Sequence, residues 1–484
     1  MRVLIIAKEF PPDMGGGATR AYNIARGLIL NGCEVTVIAA FPHYPYGDIP
    51  KEYRWKPFKI EYMDQLKVIR TIILPLRSKG LVRQLILFLS FMVSSLFATP
   101  FVGEVDAIWA ANPNILSIFP AIVYGILKRA PVALNVDDLW PEDVYSIGLI
   151  KRGTLTAKLA EFLAKIAYTI ADLITPISPG YVNIITRKYK IDSRKICVIR
   201  AGVNTSLFKP ARRVRANRKF RVLYSGALSI AYDFDQVLLA AKELERQGIK
   251  DIEFVIQGGG ELREYIKRKV RELGITNIVV IDKVMKREEL ANFLNEADVL
   301  LLPLRDFGRP YLGISSKLYE YQAAGKPVIC CCEGQPADYV KETRSGVVVK
   351  PGDYEGLAEV ILYLRENRDA AEKLGASGRQ YVERNLSIEK IGLRMMRVFQ
   401  QVLAYRSGFS KRRAYDVTIL PSRQELVQLL GEHDFFLWQY YGEGILGKIM
   451  AWIFRSRIKV LMKFLRQLQL EPRMILDVGC GPCL

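Results

Sequence analysis

Short apolar runs, each closed by Gly, Pro or a polar residue, recur along this chain and alternate with segments of helical period. The first run is Arg2 to Ala7, followed by a loop, Pro11-Pro12-Asp13-Met14-Gly15-Gly16-Gly17. A helix is predicted over Thr19 to Asn31 and a second strand over Glu34 to Ala40. Further strands are predicted at Ala107–Trp109, Val132–Val136, Leu173–Pro176 and Ile196–Arg200. A second series opens at Phe220 with RVLYSGAL and continues through IEFVIQGGG, IVVIDKV, ADVLLLPL, PVICCCEG and GVVVKPGD, separated by helical stretches such as Asp235–Arg246 and Leu262–Leu273. Runs this apolar suit strands buried on both faces of a parallel sheet. The expected fold class is α/β: two facing Rossmann-like doubly wound domains, residues 1–205 and 206–408, with a polar, basic hinge at 211–218. The carboxyl ends of both sheets would then border a shared cleft, where ligands of such sheets bind.

Charge narrows the partners. The 484 residues carry a formal charge of +20, which favours nucleotide sugars, phospholipid surfaces or nucleic acid. No zinc spacing, RNA-binding aromatic pattern or long Lys/Arg block is present, so nucleic acid is not expected. Seven cysteines, three of them consecutive at Cys330–Cys332 in an apolar run, do not make a disulfide framework. A reducing, cytoplasmic setting is expected, and the apolar start is too short for a signal peptide. From Leu85 to Val102 no charge occurs over nearly a bilayer's span, but Ser90, Ser94, Ser95, Thr99 and Pro100 dilute the stretch. Two readings stand: a helix docked on the domain or lying in a membrane interface, or a transmembrane span.

The segment richest in chemistry is Gly313 to Ile329. Ser315 or Ser316 can cap a helix that runs to Ala324 and stops at Gly325. Its first turn would offer free N–H groups and a partial positive charge to a diphosphate, with Lys317 and Ser316 beside it. Glu320, one turn on, can accept hydrogen bonds from a ribose diol. Spacing alone favours the plainer reading, a surface helix with a solvated glutamate.

This segment resembles the signature of retaining glycosyltransferases of family 4: a Glu, seven residues, a second Glu and an Ala-Ala-Gly-Lys-Pro-Val-like ending. Glu320 matches the second Glu, while Leu312 stands at the position of the first. Cys197 to Pro210 is similar to the family's interdomain segment, departing at Arg200, Ala201 and Asn204. Gly15, Gly16 and Gly17 match its acceptor-side glycine loop. The stretches Phe41–Gly47 and Asn135–Glu142 resemble a subgroup that adds N-acetylfucosamine or related amino sugars in surface polysaccharide assembly.

The resemblance implies a GT-B architecture and a metal-independent transfer with retention, with no cofactor beyond a sugar nucleotide, by preference UDP-linked. It implies a lipid-diphosphate-linked glycan as acceptor, and a peripheral place on the cytoplasmic face of an anionic membrane. In the family an Arg and a Lys often follow the first strand of the second domain; here Ser229–Asp233 carries neither. Lys317, Arg309 and Arg305 are the expected substitutes. Gly226, Gly258 and Gly260 would let the cleft close on the nucleotide. Asp138, Asp137 or His43 would orient the acceptor hydroxyl, Asp138 foremost, although a structural cap before Trp140-Pro141 is the equal alternative.

Residues 409–484 read as an addition: a basic amphipathic helix over 449–470, then Met474–Val478 and Gly479-Cys480-Gly481, similar to the opening of a Rossmann-like methyltransferase. The expected strands that would bind S-adenosylmethionine do not follow, and Cys480-Gly-Pro-Cys483 has no helix after it to lower a thiol pKa. Two rival functions share the fold: a non-hydrolysing sugar-nucleotide epimerase, and a catalytically silent nucleotide-sugar-binding subunit.

Overall fold

The computed structural model describes residues 1–406 except 14, 44–46, 55, 75–80, 112–114, 147, 149 and 212–218. The expected hinge after Ala211 and everything predicted for the tail lie outside the described residues. The first half comprises β1 (Arg2–Ile6), α1 (Gly16–Leu30), β2 (Glu34–Ala40), β3 (Phe58–Met63), β4 (Leu66–Thr71), α2 (Leu81–Leu96) and β5 (Ala107–Ala110). It continues with α3 (Ile118–Lys128), β6 (Val132–Val136), α4 (Glu142–Ser146), α5 (Leu155–Ile170), β7 (Leu173–Pro176) and α6 (Pro179–Arg187). Its sheet has the order β3-β4-β2-β1-β5-β6-β7, parallel except for the β3–β4 pair. In β1, Val3 and Ile5 face one core while Leu4 and Ile6 face the other, so a continuous apolar strand is what burial on both faces requires.

The second half runs β8 (Phe220–Ser225), α7 (Phe234–Arg246), β9 (Ile252–Gln257), α8 (Arg263–Glu272), β10 (Ile278–Ile281), α9 (Arg287–Leu294) and β11 (Val299–Pro303). Then come α10 (Ser316–Ala323), β12 (Val328–Cys331), α11 (Gln335–Thr343), β13 (Gly346–Val349), α12 (Tyr354–Glu366), α13 (Arg368–Asn385) and α14 (Ile388–Arg406). All six strands are parallel in the order β10-β9-β8-β11-β12-β13, and the order reverses between β8 and β11. The two sheets make the molecule an α/β protein with two Rossmann-like domains. Cys330, Cys331 and Cys332 are buried free thiols, as an apolar strand predicts.

Two elements differ from the sequence reading, and a third decides between its alternatives. The β3–β4 hairpin was not expected, because Phe58–Thr71 mixes charged and apolar residues and its turn, Asp64-Gln65, adopts positive φ without the glycine that signals such turns. Ile196–Arg200 is not a strand. It runs beside β7, donating from Cys197 N to Ile174 O and from Ile199 N to Pro176 O, but Pro176 has no N–H to return a bond. The apolar stretch from Leu85 is the docked helix α2, not a span: among the described residues no helix is long and apolar enough to cross a membrane. Leu87, Phe91, Ser94 and Ser95 bury one of its sides.

After α13 the chain returns to the first domain, and α14 lies along α1. A Cβ on Gly392 would stand 2.0 Å from the Gly27 carbonyl carbon, and one on Gly27 would stand 2.4 Å from Ile388 O. The two backbones touch only because both residues are glycine. Where the chain crosses between domains, the passing segments bond to each other: Val203 N to Leu386 O at 2.9 Å and Ile388 N to Val203 O at 3.1 Å. Gly392→Ala is therefore expected to part α1 from α14 and to cost about 1–3 kcal/mol, as overpacking does. Gly103→Ala, with nothing within 4 Å of the added carbon, should stay within about 0.5 kcal/mol of the parent. Urea unfolding of both variants checks this.

Candidate active site

The second-domain side of the site is built where the order of its sheet reverses. Gly226 follows β8 at φ 146°, Gly258 and Gly260 follow β9 at 145° and 154°, all in the region that favours glycine. A Cβ on Gly258 would lie 1.8 Å from Gly226 O, and one on Gly260 2.3 Å from Leu228 O. These glycines are thus demanded by the packing of the two loops on each other. Gly226 has a further constraint, since the stem of Lys317 passes 2.0 Å from where its Cβ would be.

Helix α10 begins directly above. Ser315 sits at its N-cap but makes no capping bond. No side chain of the cap therefore covers the first-turn N–H groups. Lys317 Nζ donates to Tyr232 Oη at 2.5 Å and to Tyr224 Oη at 3.3 Å. Burial alone would raise the Tyr232 pKa, but the neighbouring Lys317 ammonium and its hydrogen bond lead the groups that outweigh it and hold the phenol below its ordinary value. Glu320, one turn further, is not a solvated surface carboxylate. It is buried at 9% exposure, and Oε1 accepts from Arg287 Nη2 at 2.8 Å. Arg287 opens α9 and stacks on Phe208 with 4.7 Å to the ring centroid.

The loop from β11 to α10 makes the contact across the cleft. Arg309 donates to the Glu142 carbonyl at 2.9 Å, so the guanidinium expected beside a diphosphate bridges to the first domain. Arg305 is half-buried, its backbone N bonded to Ala231 O at 3.0 Å. At the position of the absent first glutamate, Leu312 packs against the first domain's core and its carbonyl accepts from Ser178 Oγ. A carboxylate there would enter an apolar contact. Next to it, a Cβ on Gly313 would lie 2.4 Å from Tyr181 Oη.

The first-domain side comes from the ends of β1, β2 and β6. Gly15 is the N-cap of α1 with extended backbone, and Gly16 has nothing within 4 Å of an added Cβ, so no neighbouring protein atom excludes a side chain there. Gly17 lies in the first turn of α1. His43 is buried with Nδ1 2.9 Å from the Phe41 carbonyl, an acceptor that fixes the ring proton on Nδ1. Burial, with the Lys8 charge, lowers its pKa, so the ring is neutral at pH 7. Asp137 and Asp138 follow β6. Asp137 Oδ1 is 3.5 Å from Arg20 Nε; burial raises it to about 6 against the pull of Arg20 and Asn135. Asp138 opens to solvent in the cleft, yet protein surrounds it on most sides. That burial, then the charges of Asp143 and Asp137, pushes it up to about 7. Glu142, by contrast, is an anchor, buried and paired with Arg152 at 2.9 Å and with Lys188.

Several residues in this arrangement were invisible in the sequence reading. Arg20 is buried in α1 and donates to the carbonyls of Arg200 at 2.5 Å and Ile199 at 2.6 Å while it faces Asp137. Arg287 comes from the start of α9 and Tyr232 from the loop after β8, and only folding joins them to Glu320 and Lys317. Asp143 accepts from Leu139 N at 2.6 Å and fixes the turn that carries Asp138.

The profile described as Glycosyltransferase Family 4 matches residues 14–207, and that described as Glycosyl transferases group 1 matches residues 208–381. The chain carries a glycosyltransferase family 4 domain followed by a glycosyl transferases group 1 domain. It is 27% identical over 191 residues to a GDP-mannose-dependent alpha-(1-6)-phosphatidylinositol monomannoside mannosyltransferase of Mycobacterium tuberculosis, covering 37% of this chain and 49% of that one. To the amylovoran biosynthesis glycosyltransferase AmsK of Erwinia amylovora it is 26% identical over 192 residues, 40% of this chain and 47% of that one. The chain thus spans about half the length of the curated relatives it matches. In fold it is similar to sucrose-phosphate synthase from Thermosynechococcus elongatus, with a TM-score of 0.67 at 18% identity over 84% of this chain and 100% of that one. A complex of Anabaena HepE with UDP gives 0.60 at 13% identity, over 83% and 100%. This family 4 architecture is GT-B.

The charge state of Asp138 has a consequence for stability. Its folded pKa of about 7 exceeds the unfolded value near 3.9, so its contribution is full below about pH 4 and is lost as pH rises through 7. Asp138→Asn should therefore match the parent at pH 4 and exceed it at pH 8. The gain is about 1 kcal/mol, well under the full shift because the carboxyl reaches solvent. Urea unfolding at both pH values measures it; an equal difference at both would remove the assignment.

Proposed function

We propose that the protein transfers a sugar, by subgroup resemblance an amino sugar, from a UDP-linked donor with retention to a lipid-linked saccharide of a surface glycan. The observation that carries this reading is the buried Glu320 one turn beyond Lys317, on a helix whose first turn is uncapped at the reversal point of the second sheet. An uncapped first turn and an ammonium suit a diphosphate, and a carboxylate already oriented by Arg287 suits a ribose diol. As the bond from sugar to diphosphate breaks, the charge on the leaving oxygen would meet groups fixed in advance, which is where electrostatic catalysis acts.

Across the cleft, Asp138 is the group best suited to orient the acceptor hydroxyl. Near pH 7 Asp138 exchanges its proton readily, the condition a transient acceptor needs. The open space at Gly16 suits close approach of an acceptor to the first turn of α1.

A membrane-borne acceptor requires a surface that meets lipid. The outer sides of α2, α3 and α5 supply a candidate: Leu85, Leu89 and Val93 repeat every fourth residue on α2, beside Ile126 and Leu127 on α3 and Leu155, Leu159 and Phe162 on α5, all exposed. Lys158 and Lys165 are exposed among them. The one carboxylate on these three helices, Glu161, is paired with Lys188 at 2.7 Å. Apolar stripes with lysines and no free acid match an anionic bilayer surface. The reading places the enzyme peripherally on the cytoplasmic face.

Two measurements test it. Calorimetric titration of the full chain should show UDP binding, weakened by about 1–3 kcal/mol in Glu320→Ala as the ribose bonds are lost. Unchanged affinity would remove Glu320 from the site. In vesicle sedimentation, wild type should partition onto phosphatidylglycerol-containing vesicles and not onto phosphatidylcholine alone. A variant combining Leu89→Asp, Ile126→Asp and Phe162→Asp should lose at least about ten-fold of that binding. Wild type remaining in the supernatant with anionic vesicles would refute the surface.

A further inference from the structure

In the second domain the loop between β8 and α7 is where the family resemblance leads one to expect two cations, and it has none. The structure puts a phenol there, in contact with a cation from elsewhere. Tyr232 is 9% exposed, at the reversal point of the sheet. Its ring packs edge-on against Tyr224 at 5.2 Å, and Lys317 lies 4.2 Å from its centroid. Resting on the donor reading above, we propose that Tyr232 is a catalytic residue of the diphosphate subsite: together with Lys317 it hydrogen-bonds the leaving phosphate and replaces the missing cations.

Three observations carry this. Lys317 has donors only, so both phenol oxygens must accept from it. Tyr224 commits its own proton to the Ala227 carbonyl at 2.5 Å. No backbone carbonyl among the described residues takes the proton of Tyr232, which leaves an O–H donor beside an ammonium at the first turn of α10. The glycine at 226 preserves this arrangement, since any side chain there would collide with the Lys317 stem.

In the transfer itself, the bond between the anomeric carbon and the β-phosphate oxygen breaks and its electron pair stays on that oxygen. The acceptor oxygen bonds to the carbon, and the acceptor's proton ends on the departing phosphate. Tyr232 keeps its own proton throughout. Its part is a hydrogen bond that strengthens as negative charge grows on the phosphate, which a neutral donor backed by an ammonium gives without needing a second buried charge.

The test compares ligands that differ only in the diphosphate. Dissociation constants of UDP, uridine and inorganic pyrophosphate are measured on the full chain and on Tyr232→Phe, which keeps the ring and its packing. The expected result is about a ten-fold loss for UDP and for pyrophosphate, with uridine unchanged. Equal losses for UDP and uridine would mean that Tyr232 only packs the loop, and no loss would mean that it does not reach the phosphate; either overturns the proposal. If wild type binds pyrophosphate but neither UDP nor uridine, and the variant loses it, the clamp stands and the choice of uridine falls. If wild type binds none of the three, both the donor reading and the clamp fall.

Discussion

A single buried guanidinium organises the cleft. Arg20 leaves α1, donates to two consecutive carbonyls of the segment joining the domains, and faces Asp137 at the end of β6. Burial disfavours its charge and Asp137 opposes that penalty, so neither residue tolerates loss of the other in an interior of low dielectric. Helix, linker and cleft edge are thereby held by one planar group whose five donors suit several acceptors at once. Asn23, one turn along α1, repeats the grip on Gly202 O at 2.6 Å.

The two walls of the cleft differ in electrostatic character. Glu9, Asp137, Asp138 and Asp143 gather on the first domain's side, where burial first, and then the charge of Glu9 with those of Asp143 and Asp137 on Asp138, raises the proton affinity of Asp137 and Asp138. Opposite them stand Lys317, the phenols it bonds and the open first turn of α10. A ligand with a neutral hydroxylated end and an anionic end is matched in only one orientation. The net charge of +20 acts at longer range, on the encounter with anions.

Much of the fold was legible because parallel sheets buried on both faces write themselves as uninterrupted apolar runs, and nearly every such run became a strand. The hairpin β3–β4 escaped because an edge pair exposed on one side carries charges, as Lys59, Glu61 and Lys67 do. Ile196–Arg200 misled because its composition is strand-like while Pro176 opposite cannot complete the pairing. At the site, Glu320, Lys317 and the glycines stood out by their spacing on one segment. Their partners did not, since Arg287 is 33 positions from Glu320 and Tyr232 is 85 from Lys317. Leu312 shows the converse: its departure was visible in sequence, but its reason, an apolar seat against the other domain, exists only in three dimensions.

The chain passes between its two halves twice, and at Val203 and Leu386–Ile388 the passing segments are stitched to each other by backbone hydrogen bonds. A lone tether would let the halves swivel and twist freely. Two strands fastened side by side behave as a leaf hinge: they bend about one axis and resist torsion. Torsion between the halves would therefore strain both hydrogen bonds at Val203, whereas a lone tether would offer it no resistance.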